Sequence, residues 1–135
     1  VVALVITWVG GHLTPVAGKW TDGDRLLTLV QRGFLLYGEV ERQGGQEIYR
    51  GHALFGRVFL KRFVVGGEYL RSLGFPADVL ALMSGQVMAD YRLRLASEHL
   101  RGVFQGRHFS FMHKPARIRA SKPIEPRPII FQRLL

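Results

Sequence analysis

Residues 34–64 read FLLYGEVERQGGQEIYRGHALFGRVFLKRFV, and this stretch decides the fold class. Alternate positions of Phe34–Glu41 and of Arg57–Val64 form two unlike sets, the period of two that is typical of strands with different faces. Between these strands, Gln43–Gln46 predicts a hairpin turn, because glycine tolerates positive φ. Glu47–Ala53 is then the return strand. The stretch therefore predicts an antiparallel meander.

Similar patterns flank this meander on both sides. Arg25–Gln31 precedes it as a Leu-rich strand, and Ala89–Ala96 and Leu100–Phe104 follow as a second hairpin. The interval 68–85 contains two helical turns that glycines bring to an end. The sequence predicts a mainly β fold, a small antiparallel barrel or curled sheet with a short helical insert at 68–85, because closure hides strand edges. The alternative is an α+β sheet with helices on one face.

The first residues are apolar and uncharged up to Lys19. We expect 1–18 to be a membrane-associated segment and 19–135 to be a single β-rich domain. Trp8 would then lie near the head groups, with His12 beside it as a membrane residue. Two other interpretations stay open for this segment: the apolar part of a signal sequence, and a buried strand of the fold.

Basic residues are in excess, with a formal net charge of +9. Many of them follow Gly106, and we expect residues 114–128 to form an extended basic arm that four prolines stiffen. Guanidinium groups bind carboxylate and phosphate groups in a bidentate manner. The residues that we expect to bind a partner or a lipid are Arg92, Arg94, Arg117, Arg119, Arg127 and Arg133.

Catalytic motifs are not evident in the sequence. It has no cysteine, no phosphate-binding glycine loop and no nucleophile elbow, and its five histidines lack the i, i+4 spacing of a helical zinc site. We therefore predict that the protein is not an enzyme, name no catalytic or metal-binding residue, and leave the cofactor unknown.

One short motif suggests a family. Gly18-Lys19-Trp20 precedes TDGDRLLTLVQRGFLLYGEV at 21–40, and YRLRLASEHLRGVF at 91–104 has the same hairpin style. Together these segments resemble the lipocalin-like, or calycin-type, small barrels over about half of the chain. The resemblance implies that Trp20 is a structural residue closing the barrel floor, and that the barrel holds an apolar ligand.

These features predict a membrane protein, either peripheral or single-pass, with its side of the membrane left open. We expect a non-catalytic accessory or assembly subunit whose β-domain docks on other subunits of a larger respiratory, photosynthetic or secretion complex, with an anionic lipid surface as a further partner. One alternative is a barrel that binds a small apolar molecule. A second is a nucleic-acid-binding β-domain, in which Phe109 and Phe111 stack on bases.

Overall fold

The computed structural model describes residues 14–134, and every structural statement below refers to them. Within this range the strands are β1 (Gly18–Thr21), β2 (Leu26–Arg32), β3 (Leu35–Arg42), β4 (Gly45–Leu54), β5 (Arg57–Val65), β6 (Ala89–Ala96), β7 (His99–His113), β8 (Ala116–Pro123) and β9 (Arg127–Leu134). The helices are α1 (Gly67–Ser72), a 3₁₀ turn (Ala77–Val79) and α2 (Leu80–Met83). All the helices lie inside the predicted insert, apart from the first residue of α1.

Eight of the described strands close an antiparallel barrel. β1 to β7 pair in sequence order, and β9 completes the ring by pairing with both β7 and β1. Each connection from β2 to β5 is a tight turn, as the glycine pattern predicts. The prediction of a mainly β antiparallel barrel is confirmed, and the α+β alternative is not adopted.

Alternate side chains of each strand fill the barrel interior. Large aromatic groups dominate it: Trp20, Tyr49, Tyr91 and Phe131 are all at most 1% exposed. Tyr91 contacts both Tyr49 and Phe131, with ring centroids 5.6 and 6.2 Å apart. Each of these side chains adds to the apolar core, where a fully buried large apolar side chain contributes about 1.5–3 kcal/mol.

A long hairpin extends one wall beyond the barrel. The first part of β7 pairs with β9 within the barrel sheet. Its last part, Arg107–His113, extends beyond the barrel and pairs with β8. This ribbon packs on the helices through a second apolar cluster that includes Phe109, Phe111 and Ile118. The two phenylalanines are therefore packing residues. Most of the predicted arm is extended backbone, organised as β8 and the start of β9.

The two ends of the barrel differ. One end, here called the helical end, carries the helices and the ribbon. The other end, here called the base, consists of residues 14–17 and the turns at 33–34, 55–56 and 97–98.

Residues 14–17 close the base from below. Val16 is fully buried, its amide donates to Gln31 Oε1 at 2.9 Å, and its carbonyl accepts from Trp20 Nε1 at 2.9 Å. The Oγ1 atom of Thr14 accepts from the Gly56 amide at 2.7 Å. Residues 14–18, the last part of the predicted membrane-associated segment 1–18, thus pack on the barrel. The physical reason is that the buried indole N–H of Trp20 needs a hydrogen-bond acceptor inside the core.

The remaining part of the predicted membrane segment, with Trp8 and His12, lies outside the described residues. Among the helices that are described, none has the length and apolar character needed to cross a bilayer.

Candidate membrane-facing base and basic wall

A buried carboxylate organises the helical end of the barrel interior. Glu47 is 1% exposed and accepts hydrogen bonds from Arg25 Nε at 2.8 Å, from the Tyr49 hydroxyl at 2.6 Å and from the Tyr69 hydroxyl at 2.7 Å. Arg42 Nε lies 3.5 Å from its second oxygen. Three neighbours donate hydrogen bonds to the carboxylate and Arg42 lies beside it as a counter-ion, so Glu47 is held by groups of the chain itself.

The electrostatics of this cluster agree with a structural role. Burial alone raises the pKa of Glu47, but the hydrogen bonds from Arg25, Tyr49 and Tyr69 outweigh burial and hold the pKa at about 2. Burial and the neighbouring Glu47 raise the pKa of Tyr49 and of Tyr69. Glu47 is therefore ionised and the two phenols are neutral near pH 7, and the cluster links β2, β3, β4 and α1.

A strongly basic surface covers the outside of β4 to β7. We call this surface the basic wall, defined by its exposed cations Arg50, Arg57, Lys61, Arg92, Arg94, Arg101 and Arg107. The described outward positions of these strands hold one carboxylate, Asp90, which pairs with Arg107 at 3.2 Å.

Like charges face each other directly across the strands of this wall. Arg57 is registered with Arg94, and Arg94 with Arg101, so that three guanidinium groups form one row. Arg50 faces Lys61 in the next hairpin. Directly opposed like charges destabilise a sheet. This row of cations therefore costs the sheet some stability, and an anion bound between the side chains would offset that cost.

A groove of about 500 Å³ lies on the basic wall. Arg50, Lys61 and Arg92 are among the residues that line it, and Gly51 leaves part of the lining without a side chain. Beside these cations, the rings of His52 and Phe59 stack with centroids 5.1 Å apart. The groove therefore combines cationic groups with an aromatic surface.

The base exposes large apolar side chains at its turns. Phe34 is 53% exposed, Leu35 is 58% exposed and Phe55 is 61% exposed. Exposed cations surround them: Lys19, Arg32, Arg57, Arg94 and Arg101. Among the described base residues and the strand ends next to them, the carboxylate is Glu98, which pairs with Arg133 at 2.9 Å.

Five of the six arginines that were predicted to bind a partner or a lipid are exposed, at three places. Arg92 and Arg94 lie on the basic wall, Arg117 and Arg119 are exposed on β8, and Arg127 is exposed at the start of β9. Ile118 is half-buried between the exposed Arg117 and Arg119.

Arg133 is engaged within the base. Its guanidinium lies 4.4 Å from the centroid of the Trp20 ring, donates to the carbonyls of Pro15 and Ala17, and pairs with Glu98. The sequence predicted a partner contact, whereas these contacts give Arg133 a structural role. Trp20 is fully buried, and its indole donates to the carbonyl of Val16 at the base.

Sequence reasoning missed the groove and the apolar turns. The sequence pattern places Arg57, Phe59 and Lys61 on one face of a strand. This grouping of two cations with a phenylalanine was the feature from which the groove could have been predicted. The pattern did not identify that face as the outer one. Phe34 and Phe55 each adjoin a turn glycine, where an exposed phenylalanine is unusual enough to serve as a signal.

In the described part of the chain, no three His, Asp or Glu side chains cluster around one point where they could together bind a metal ion. His113 Nδ1 lies 2.7 Å from Asp78 Oδ2, and this contact joins the ribbon to the helices.

Comparison with known proteins gives no relative. No protein-family model matches the chain, and neither a curated protein nor a solved structure matches it.

Proposed function

We propose that the protein is a non-catalytic, membrane-attached accessory subunit whose barrel rests with its base on an anionic bilayer. One observation carries this proposal: three features coincide at the base. Exposed apolar turns, a surround of cations, and the point at which the apolar stretch Val1–Val9 leads into the barrel all lie at this end.

The physical chemistry of a bilayer surface matches this combination. Phe34 and Phe55 bring apolar area that gains free energy on leaving water, about 25 cal/mol per Å². Each Lys or Arg near an anionic leaflet adds about 1 kcal/mol, and Arg57, Arg94 and Arg101 lie next to the base turns. Together these terms favour an orientation with the base towards the lipid.

The ribbon is then directed away from the bilayer. Arg117 and Arg119 are exposed on β8, where they are available to the acidic surface of another subunit. The accessory role in a larger respiratory, photosynthetic or secretion assembly rests on this basic ribbon. In this arrangement one end of the barrel binds the membrane and the other end binds the partner.

A relationship to the calycin-type barrels is part of the proposal. The closed eight-stranded barrel with Trp20 on its floor supports it. Binding of an apolar ligand inside the barrel ranks second, because Tyr49, Tyr91 and Phe131 occupy the interior. Nucleic-acid binding ranks third, because Phe109 and Phe111 pack against the helices instead of facing outwards.

Single-cysteine labelling tests the proposed orientation. The chain has no cysteine, so each variant of the full chain carries one label. Phe34→Cys and Phe55→Cys report on the base, and Leu26→Cys and Leu73→Cys, at exposed positions near the helical end, are matched controls. A fluorescent label is quenched separately from the lipid phase and from water, in vesicles of phosphatidylcholine and phosphatidylglycerol.

We expect the base labels to be quenched from the lipid phase and the control labels to be quenched from water. This result does not depend on how residues 1–13 attach, because it measures the position of the barrel itself. Base labels that stay fully accessible to the aqueous quencher would refute the proposed orientation.

A further inference from the structure

We infer that the groove on the basic wall binds the phosphate head group of one anionic lipid. This inference rests on the proposed function, because it supplies a specific lipid contact to a barrel that is already seated on a bilayer. The groove is defined by Arg50, Lys61, Arg92 and the His52–Phe59 ring pair.

The cations of the groove are available for an anion. Lys61 and Arg92 form no side-chain hydrogen bond or ion pair with any described residue. The guanidinium carbon of Arg50 lies 5.9 Å from the centroid of the Tyr37 ring, which is a cation–π contact. The carboxylate of Asp90 also lines the groove, opposite Lys61, and is paired with Arg107 at 3.2 Å. A phosphate bound between Arg50 and Lys61 relieves the repulsion between these opposed cations.

The shape of the site favours a single head group. Gly51 lets β4 and β5 approach each other closely beneath the groove, because a Cβ at this position would overlap the backbone carbonyl of Phe59. The volume of about 500 Å³ is in the range of small-molecule sites.

A row of exposed side chains connects the groove with the base. Across the strands, Leu35 is registered with His52, His52 with Phe59, and Phe59 with Arg92. Leu35 and Phe59 are both exposed, and Leu35 adjoins Phe34 at the base. An acyl chain lying along this row leads from the bilayer to the cations, which is the geometry a lipid requires and a free phosphate does not.

A polynucleotide is less well matched to the same surface. Nucleic acid needs a continuous basic track with several stacking platforms. Here the groove holds a single aromatic pair, in which one face of Phe59 is already stacked on His52. We therefore assign the site to a lipid phosphate and treat an oligonucleotide as a competing outcome.

The test uses dihexanoyl phosphatidylglycerol below its micelle concentration as the probe. The full chain is titrated, and the NMR signals of Gly51, His52 and Phe59 are followed. Inorganic phosphate, dihexanoyl phosphatidylcholine and a short single-stranded oligonucleotide are titrated in parallel. The groove variant is Lys61→Gln/Arg92→Gln, and its charge-matched control is Arg71→Gln/Lys122→Gln, at exposed cations near the helical end and on the ribbon.

We expect saturable shifts with the anionic lipid and binding about tenfold weaker for the neutral lipid and for inorganic phosphate. The groove variant should lose these shifts, whereas the control variant keeps them. Equal losses in both variants would show diffuse electrostatic attraction and overturn the site. Phosphate binding as tight as lipid binding, or tighter binding of the oligonucleotide, would likewise overturn the assignment.

The outcome is separable from that of the proposed function. Short-chain lipid below its micelle concentration presents no bilayer, so the titration tests the groove without the base. If the labels show no base insertion while the titration succeeds, only the orientation is wrong. If the labels insert and the titration fails, only the lipid site is wrong.

Discussion

Replacing Glu47 by glutamine should destabilise the protein by about 3 kcal/mol at neutral pH, with a characteristic dependence on pH. The folded structure holds the pKa of Glu47 at about 2, compared with an ordinary value of 4.5. At about 1.36 kcal/mol per pH unit, this difference corresponds to roughly 3 kcal/mol of stability. Removal of one partner from a buried ion pair typically costs a similar amount, about 3–5 kcal/mol, because Arg25 and Arg42 keep their charges.

The sign of the pH dependence follows from the lowered pKa. Ionised Glu47 stabilises the folded state fully above about pH 4.5, and this stabilisation is lost as the pH falls towards 2. Glutamine carries no charge at any pH, so the variant lacks this component throughout. The difference in unfolding free energy between the native protein and Glu47→Gln should therefore roughly halve by pH 3 and disappear below about pH 2.

Urea denaturation at pH 7, 4 and 3 measures this difference directly. The control variant is Glu41→Gln, an exposed position on β3, which should change the unfolding free energy by less than about 0.5 kcal/mol. A difference for Glu47→Gln that is the same at all three pH values would refute the electrostatic reasoning. So would a variant as stable as the native protein at pH 7.

Three further predictions concern the base and the ribbon. Removal of residues 1–13 should leave the unfolding midpoint of the barrel nearly unchanged. Removal of residues 1–18 should lower the unfolding free energy by about 2 kcal/mol or more, because it also deletes a buried valine and a hydrogen-bond partner of the core indole. Equal midpoints for the two truncated chains would exclude the closure of the base by residues 14–17. Trp20→Ala should cost about 3–5 kcal/mol in urea denaturation, and a loss below 1 kcal/mol would contradict its place in the core. Replacing both Arg117 and Arg119 by lysine conserves charge but removes bidentate geometry, so association with an acidic partner subunit, measured at constant salt, should weaken by about 1 kcal/mol or more per buried pair. Unchanged association would leave only a diffuse electrostatic role for the ribbon.

Local sequence patterns were sufficient to predict these strands. The alternation in Phe34–Glu41 identified Leu36 and Val40 as one face, and both are buried in the barrel. The glycines at 44 and 45 predicted the hairpin between β3 and β4. These features depend on neighbours within a few residues, because the period of two and the freedom of glycine at positive φ operate locally.

The candidate site could be predicted only in part. The sequence identified Arg92, Arg94, Arg117 and Arg119 as exposed basic groups, and the structure exposes all four. It could not assign Arg133 to the base, because its partners Ala17 and Pro15 are more than 100 positions away along the chain. Contacts at such a separation depend on closure of the barrel, which no local pattern encodes.

The sequence by itself determined a β domain with a helical insert, a basic surface and an apolar N-terminal stretch. Only the tertiary structure decided which face of each strand points inwards, and hence that Arg57, Arg94 and Arg101 form one row on the outside. Strand pairing also decided that the exposed turns with Phe34 and Phe55 gather at the end where the N-terminal stretch leads in. The physical reason is that the pairing register sets the neighbours of every side chain across strands, and closure of the barrel fixes that register over the whole domain.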